Sequence, residues 1–291
     1  MPKLDYLRRS IGNQFNASRF CCPNCGSSAS RLIERKHFVT QLRRCENCEI
    51  LFRTPTDDPV SNQAFYEDKY SQGFTTDMPG DDNLERLKES RFSGTEKDYS
   101  YYIGVLQDLG LPQGAAIFDY GCSWGYGSYQ FGLAGFKVVS FEIAPTRRKY
   151  AAQKLDVRVV DDMETAAATL QGTFDCFFSA HVLEHVPAPA LVFKYALSLL
   201  RPGGLFVSFV PNGSMEYRAM AVNWNKVWGE VHPNFLDDQF LDKAFRKSPR
   251  SIGSSPVSNA SLPEDVTLRR VNSLNNVELF FAARKIADTW A

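Results

Sequence analysis

From Ala115 to Asn212 short apolar runs alternate with stretches of helical period, and this alternation constrains the fold more than any other feature. "AAIFDYG", "KVVSFEIAP", "VRVVDD", "TFDCFFSAHV" and "LFVSFVPN" read as strands. "GSYQFGLAGF", "TRRKYAAQKL", "METAAATLQG" and "PALVFKYALSLLRPGG" read as the helices between them, the last capped by its glycines. Strands separated by helices cannot pair as tight hairpins. Each crosses over to lie parallel to the one before, and the helices cover both faces of the sheet. The expected fold is α/β, a Rossmann-like doubly wound and mostly parallel sheet. Before it, Leu84 to about Leu109 reads as helical with a break near Gly94. After it come a helical "FLDDQFLDKAF", a Ser-rich "RSIGSSPVSNASLPED" that reads as flexible, and a last strand in "VELFFAARK".

The first strand runs into "DYGCSWGYG", three glycines in seven residues before a helix. In an open α/β sheet this turn is where a nucleotide binds. The dinucleotide fingerprint G-x-G-x-x-G fails, because Gly125 and Gly127 are followed by Gln130, and no P-loop lysine is present. What remains is Asp119, Gly121, Gly125 and Gly127, with Glu142 ending the second strand. A carboxylate there accepts both hydroxyls of a ribose. The bulky Trp124 and Tyr126 suit a pyrophosphate poorly. They suit a nucleoside whose 5′ substituent is an amino acid and a sulfonium; the plain alternative is a tight turn without a ligand.

Five of the seven cysteines fall near the N-terminus. Cys22, Cys25, Cys45 and Cys48 form C-x2-C twice, the spacing of a four-thiolate zinc site. Each pair makes a knuckle whose sulfurs point the same way, and two facing knuckles make a tetrahedron. "RLIERKHFVTQLRRC" between them reads as two short strands, and Gly26 falls where such a turn takes positive φ. The expectation is a structural Zn2+ in a zinc ribbon; free cysteines in a loop are the alternative. Cys21 stands outside the pattern. Residues 1–56 carry ten basic and four acidic side chains in a chain of zero net charge, which leaves open a nucleic-acid or other anionic partner for the ribbon. No apolar run reaches the roughly 18 residues that span a bilayer. The N-terminal stretch has no secretory h-region, and the cysteine usage suits a reducing, cytoplasmic setting. The expected units are a ribbon at 1–56, a helical linker or lid at 57–110 and a nucleoside-binding unit at 111–291.

Residues 95–212 and the final strand resemble the class I S-adenosylmethionine-dependent methyltransferases. "FDYGCSWGYG" resembles their first motif, "VVSFEIAP" their ribose-binding strand, "VVDDME" the third strand end that meets the adenine, and "FDCFFSAHVLEHVPAP" and "LLRPGGLFVSFVPN" their fourth and fifth strands. The resemblance implies S-adenosylmethionine as cofactor. It implies contacts from Asp119, Gly121, Cys122, Gly125, Gly127, Glu142, Ile143, Asp161, Asp162, Met163, Ser179 and Ala180. A ribbon, then "FRTP…FYEDKY", then this core is similar to bacterial enzymes of polysaccharide and deoxysugar biosynthesis. The implied acceptor is a hydroxyl of a sugar, sugar nucleotide or glycan. The C-methylating members carry a further C-terminal domain for which this length leaves no room, which turns the expectation from carbon to oxygen. An RNA methyltransferase, or a scaffold without catalysis, is the alternative.

Methyl transfer to oxygen needs an acceptor that loses its proton as it attacks, and therefore a positioned base. In the family the loop leaving the fourth strand lies beside the methyl. Here it carries His181 and, four residues on, His185, which share a face if a helix starts at once. Both are candidate bases, His181 first, since imidazole titrates near neutrality. "HVLEH" also fits an inverted zinc-protease motif, but its strand–loop context excludes that chemistry. Some relatives hold a divalent metal in this loop, so His181, Glu184, His185 and His232 are a candidate second metal set. Tyr217, Trp224 and Trp228 near His232 are a candidate acceptor wall, and Tyr66 and Tyr70 a candidate lid. Cys122 and Cys176 read as buried thiols.

Overall fold

The computed structural model describes residues 2–36, 38–57, 77–266 and 268–290. Eight strands form the larger sheet. In chain order they are β4 (Ala116–Tyr120), β5 (Lys137–Phe141), β6 (Val159–Val160), β7 (Phe174–Ala180), β8 (Leu200–Pro211), β10 (Arg250–Ser254), β11 (Arg269–Val271) and β12 (Glu278–Arg284). Their spatial order is β11-β10-β12-β8-β7-β4-β5-β6. β4 to β8 are mutually parallel, as the alternation requires. β12 runs antiparallel to β8 and β10.

From β4 the chain moves outward through β5 and β6, then returns to the other side of β4 as β7. The strand order reverses at β4, so a crevice opens beyond its carboxyl end. The register sets what faces it. Asp119 pairs with Ser140 and Phe178, and Tyr120 with Phe141. The residues just past those ends, Gly121, Glu142 and His181, therefore emerge at one rim.

Four crossover helices pack around this sheet, α4 (Tyr126–Leu133), α5 (Pro145–Leu155), α6 (Met163–Thr169) and α7 (Pro189–Leu199), together with α3 (Ser100–Asp108), which precedes β4. The helical region before β4 is broken as expected, with α2 (Asp81–Glu89) separated from α3 by turns around Gly94. One core face stacks Phe118, Phe177 and Phe206 across neighbouring strands, with ring centroids 5.5 and 5.6 Å apart.

Three readings need correction. The helix in "PALVFKYALSLLRPGG" is not capped by its glycines. It ends at Leu199 and β8 starts at once, because Gly203 and Gly204 bond to Lys285 of the partner strand's end. The third strand shrinks to Val159–Val160. The Ser-rich stretch does not open as a flexible segment: Arg250–Ser254 is a buried strand between β11 and β12. Ladders on both sides bond its backbone, so its polar composition says little about its order.

The smaller sheet holds β1 (Ser30–Lys36), β2 (Thr40–Cys45) and β3 (Leu51–Thr54) as an antiparallel meander, preceded by α1 (Pro2–Asn13). Its fourth strand comes from far along the chain. β9 (Asn234–Phe235) pairs with Leu51 and Phe52, directly before helix α8 (Asp238–Ala244). The two sheets share a core in which Cys22, Cys45, Ile50 and Phe52 pack with Phe193, Leu236 and Phe240. Arg44 and Asp237, both buried, form an ion pair across this junction. Asp237 also caps α8 through the Phe240 N–H.

Candidate active site and the four-cysteine centre

The turn after β4 follows the sequence's demand for glycine. Gly121 and Gly125 take φ of +85° and +89°. A Cβ at Gly121 would strike Val182, and one at Gly125 would come within 2.8 Å of Ala151. Gly127 answers a different need: the Tyr99 ring packs on its bare Cα. Tyr99 in turn meets Tyr126 and Phe131 edge-on. The third glycine of the run thus seats α4 against the helix before it.

Glu142 is 3% exposed at the end of β5. Its two oxygens accept the backbone N–H groups of Ser123 at 2.9 Å and Ala144 at 2.8 Å. Burial raises its pKa, opposed by the Ala144 N–H and by Arg147. Each oxygen keeps a second lone pair. A cavity of about 190 Å³ opens beside it, lined by Tyr120, Gly121, Glu142, Ile143, Val182 and His185. An apolar slot with one fixed carboxylate fits a nucleoside held through its sugar.

The other expected cofactor residues are placed unequally. Asp119 is buried and accepts the Ser128 hydroxyl at 2.5 Å. Its burial pushes the carboxyl up to about 7, the Ser128 bond opposing and the Glu142 charge adding. Cys122 is buried, its thiol directed at the Ser123 carbonyl. Asp161 and Asp162 are exposed, and Asp162 caps α6 by accepting the Thr165 N–H at 2.7 Å. Met163 and Ser179 are buried, and Ala180 is half-buried at the end of β7. Cys176 is a buried thiol, as expected. Tyr66 and Tyr70 lie outside the described residues.

The loop after β7 departs from expectation. Residues 181–187 form turns, and the helix begins only at Pro189. His181 and His185 therefore share no helical face. His181 takes φ +56° and swings toward the last strand, where its Nε2 lies 2.7 Å from Glu278. Its Nδ1 lies 3.7 Å from Glu184. Burial would lower its pKa, but the Glu184 and Glu278 carboxylates outweigh it and raise the imidazole to about 10, while half of the side chain stays in water. Tyr102 donates its hydroxyl to the same Glu278 oxygen at 2.8 Å. Sequence reasoning missed Glu278 and Tyr102. No local spacing links either to the loop, and the only sign was one acid at the start of an apolar strand.

His185 points the other way. Its Nδ1–H donates to the Val231 carbonyl at 2.9 Å, and its Nε2 lies 3.8 Å from Glu184. The Nδ1–H of His232 donates to the Val227 carbonyl at 2.6 Å, and the two imidazoles sit 4.6 Å apart, edge to face. Glu184 is 1% exposed, and neither of its oxygens has a hydrogen-bond partner in standard geometry. Burial would raise its pKa, but the nearby His181 and the charges of the surrounding imidazoles lower it. Burial lowers the pKa of His185 against the pull of Glu184. Glu184, His185 and His232 bring one ligand atom each within 4.8 Å of the others. His181 is not in that group. Of the expected acceptor wall, Trp228 is buried and Trp224 stacks on Phe235.

A second hollow of about 550 Å³ lies on the Glu278 side of His181, walled by Tyr101, Pro211, Val227, Pro256 and Val277.

The four cysteines converge as their spacing predicts. Sγ of Cys22 lies 3.6 Å from Cys48, and Sγ of Cys25 lies 3.5 Å from Cys45. All four sulfurs lie within 4.8 Å of one another. Gly26 takes φ +76° after the first knuckle. Four thiols around one point, none in a disulfide, are the donor set for a tetrahedral Zn2+.

The parallel sheet with its switch-point crevice and glycine turn is a Rossmann-like fold. A family model described as a methyltransferase domain matches residues 95–248, more than half of the chain, and the chain belongs to that family. Among curated relatives, it is 36% identical over 105 residues to a ubiquinone biosynthesis O-methyltransferase of Xanthomonas axonopodis pv. citri, covering 33% of this chain and 44% of the relative. It is 34% identical over 115 residues to the protein of the same name in Xanthomonas oryzae pv. oryzae, covering 37% and 46%. The matches span less than half the length of these relatives. Similar solved structures include an S-adenosylmethionine-dependent methyltransferase of Archaeoglobus fulgidus (TM-score 0.47, 15% identity, 69% of this chain and 99% of that one). Another is a TehB-like one of Corynebacterium glutamicum (0.45, 18%, 70% and 96%). Among the described residues, no helix is long and apolar enough to cross a membrane.

Proposed function

We propose that the chain moves the methyl group of S-adenosylmethionine to a hydroxyl oxygen. Glu142 carries this reading, as a buried carboxylate fixed by two main-chain N–H groups at the rim of an apolar slot. Bound there, the cofactor supplies an activated methyl. The chain's part is to hold the nucleoside through Glu142, admit it beside Gly121, and place the acceptor so that its proton leaves toward the 181–185 loop. His185, whose imidazole burial keeps neutral, is the residue to receive that proton. His181, the first candidate from the sequence, is raised to about 10 beside Glu184 and Glu278 and already holds a proton, so its part is to fix the loop against Glu278. The resemblance of the whole arrangement names a sugar, sugar nucleotide or glycan as acceptor. The apolar hollow beside His181 and the names of the curated relatives favour a second class, an aromatic hydroxyl. A nucleic-acid acceptor is the less favoured class because part of the basic excess near the N-terminus is engaged internally, with Arg8, Arg31 and Arg35 left exposed. Arg9 pairs with Glu230, Arg44 with Asp237 and Arg53 with Asp57, while Lys36 donates to the Asn225 and Trp228 carbonyls. The test offers nucleotide sugars and polyhydroxylated phenols in parallel and follows release of S-adenosylhomocysteine. Turnover with neither class, in protein that binds S-adenosylhomocysteine, defeats hydroxyl transfer as the activity.

Glu184, His185 and His232 support a second reading of the same loop, a divalent-metal site. Both imidazoles give Nδ1–H to main-chain carbonyls, the usual way a ligating histidine is oriented. A metal there would lower the pKa of an acceptor hydroxyl. Titrating Zn2+, Mn2+ and Mg2+ into protein whose four cysteines are already filled decides it: a second equivalent that His232→Ala abolishes supports the site, and saturation at one equivalent removes it.

A further inference from the structure

The structure assigns the zinc ribbon a positioning role in the transfer site, exerted through Asn234. This rests on the methyl-transfer reading above. It concerns a residue that touches neither nucleoside slot nor acceptor hollow.

Residues 225–237 run between the ribbon and the 181–187 loop, and both sides are bonded. On the ribbon side, Lys36 donates to the Asn225 and Trp228 carbonyls at 3.1 and 2.8 Å and lies over the Trp228 ring. Arg9 meets Glu230 at 2.7 Å. The Arg53 N–H donates to the Pro233 carbonyl at 2.7 Å. Asn234 and Phe235 pair with Phe52 and Leu51, and Asp237 receives Arg44, the neighbour of Cys45. On the loop side, the Asn234 N–H donates to the Glu184 carbonyl at 3.3 Å. Its side-chain Nδ2 donates to the carbonyls of Val186 and, at 3.2 Å, Pro187. The Val231 carbonyl receives His185.

The loop has no helix or strand of its own from His181 to Pro187. Asn234 is wholly buried and supplies the amide that the Val186 and Pro187 carbonyls need. Without that amide the Val186 and Pro187 carbonyls, part-buried at this contact, lose their donor, and the loop is free to shift toward another. An aspartate is of equal size but brings no N–H to donate. A metal held by the four cysteines would fix the Cys45 knuckle and β3; the edge of β3 pairs with β9, and Asn234 holds the loop that carries His181 and His185. The ribbon thereby acts on the reaction without meeting either reactant.

The test uses the full chain with zinc loaded. Asn234→Ala and Asn234→Asp are compared with wild type by S-adenosylhomocysteine calorimetry, hydrogen exchange of residues 181–187, and kcat and KM. The expected result is faster exchange in 181–187, kcat down by up to about 10²-fold, the scale of a misplacement near 1 Å, and a cofactor affinity that falls clearly less than kcat, since Val182, His185, Val186 and Pro187 form only one wall of the slot. Wild type stripped of zinc by a chelator should show faster exchange in 231–236 and 181–187 together. Lys36→Met, half-exposed on the same staple, gives a milder version should Asn234→Ala fail to fold. Unchanged exchange in 181–187 after both Lys36→Met and zinc removal overturns the inference. So does cofactor affinity that falls in step with kcat. The exchange readout needs no acceptor, so it stands apart from whether the hydroxyl-transfer reading holds.

Discussion

Two groups of ligand-type side chains sit in this molecule, the four cysteines and the trio of Glu184, His185 and His232. They differ in how they are assembled. Each cysteine knuckle is a short local turn, and two of them face across a hairpin-sized sheet. The trio joins a loop to a segment some 46 residues on, and depends on β9 for its alignment. They differ also in charge. Four thiolates around one point repel unless a cation sits among them. Glu184 already faces imidazoles that carry compensating charge when protonated. The first group is therefore built for a metal. The second is balanced by protons or by a metal, and only an imidazole left unprotonated, as burial favours for His185, can take an acceptor's proton.

The largest expected effect breaks the first member of this pair. Cys45→Ser should lose the bound zinc and the ordered ribbon while the eight-stranded sheet stays folded, since zinc binding in small modules contributes about 10–16 kcal/mol to their folding. Zinc content, thermal melting and hydrogen exchange of the ribbon check it; an ordered ribbon in metal-free Cys45→Ser would place the cysteines in the same class as the trio. Next, Glu142→Ala should weaken S-adenosylhomocysteine by about 10²-fold, or about 2.7 kcal/mol, when read by calorimetry. An unchanged affinity means that the slot beside β5 is not where the nucleoside lies. Third, Glu184→Gln keeps shape and removes charge. It should cut kcat by about 10- to 100-fold with little change in cofactor affinity, and added metal should not restore it if protons balance the trio.

The smallest effect concerns Asp119. Its carboxyl titrates near 7 in the folded protein, against about 3.9 in an unfolded chain. The folded state therefore holds the proton more tightly. The stabilisation is full below about pH 4 and is lost as pH rises through 7. Asp119→Asn should flatten the fall in Tm between pH 5.5 and 8; a fall of unchanged steepness assigns it to other groups.

What was legible follows the same division. The cysteine spacing, the β4 to β8 alternation, the glycine turn and Glu142 are local patterns, and each appears where its spacing places it. Glu278 and Asn234 were invisible because their partners lie 97 and 48 residues away, and neither sits in a repeating pattern. The 181–187 loop misled for a physical reason. An i, i+4 pair of histidines suggests a helix, but His181 adopts a left-handed backbone conformation and Pro189 starts the helix eight residues later. The buried strand at Arg250–Ser254 was masked by its serines, whose small side chains pack wherever the ladder on each side is satisfied.

The two-residue strand β9 has a consequence for anyone cutting the chain. A fragment ending at residue 57 would keep its metal but expose the open ladder of Leu51 and Phe52, with the Phe52 and Ile50 side chains uncovered. An apolar unpaired edge of this kind recruits other chains. The excised piece is therefore an aggregation hazard, and a graft of the ribbon onto another scaffold has to bring Asn234 and Phe235 with it.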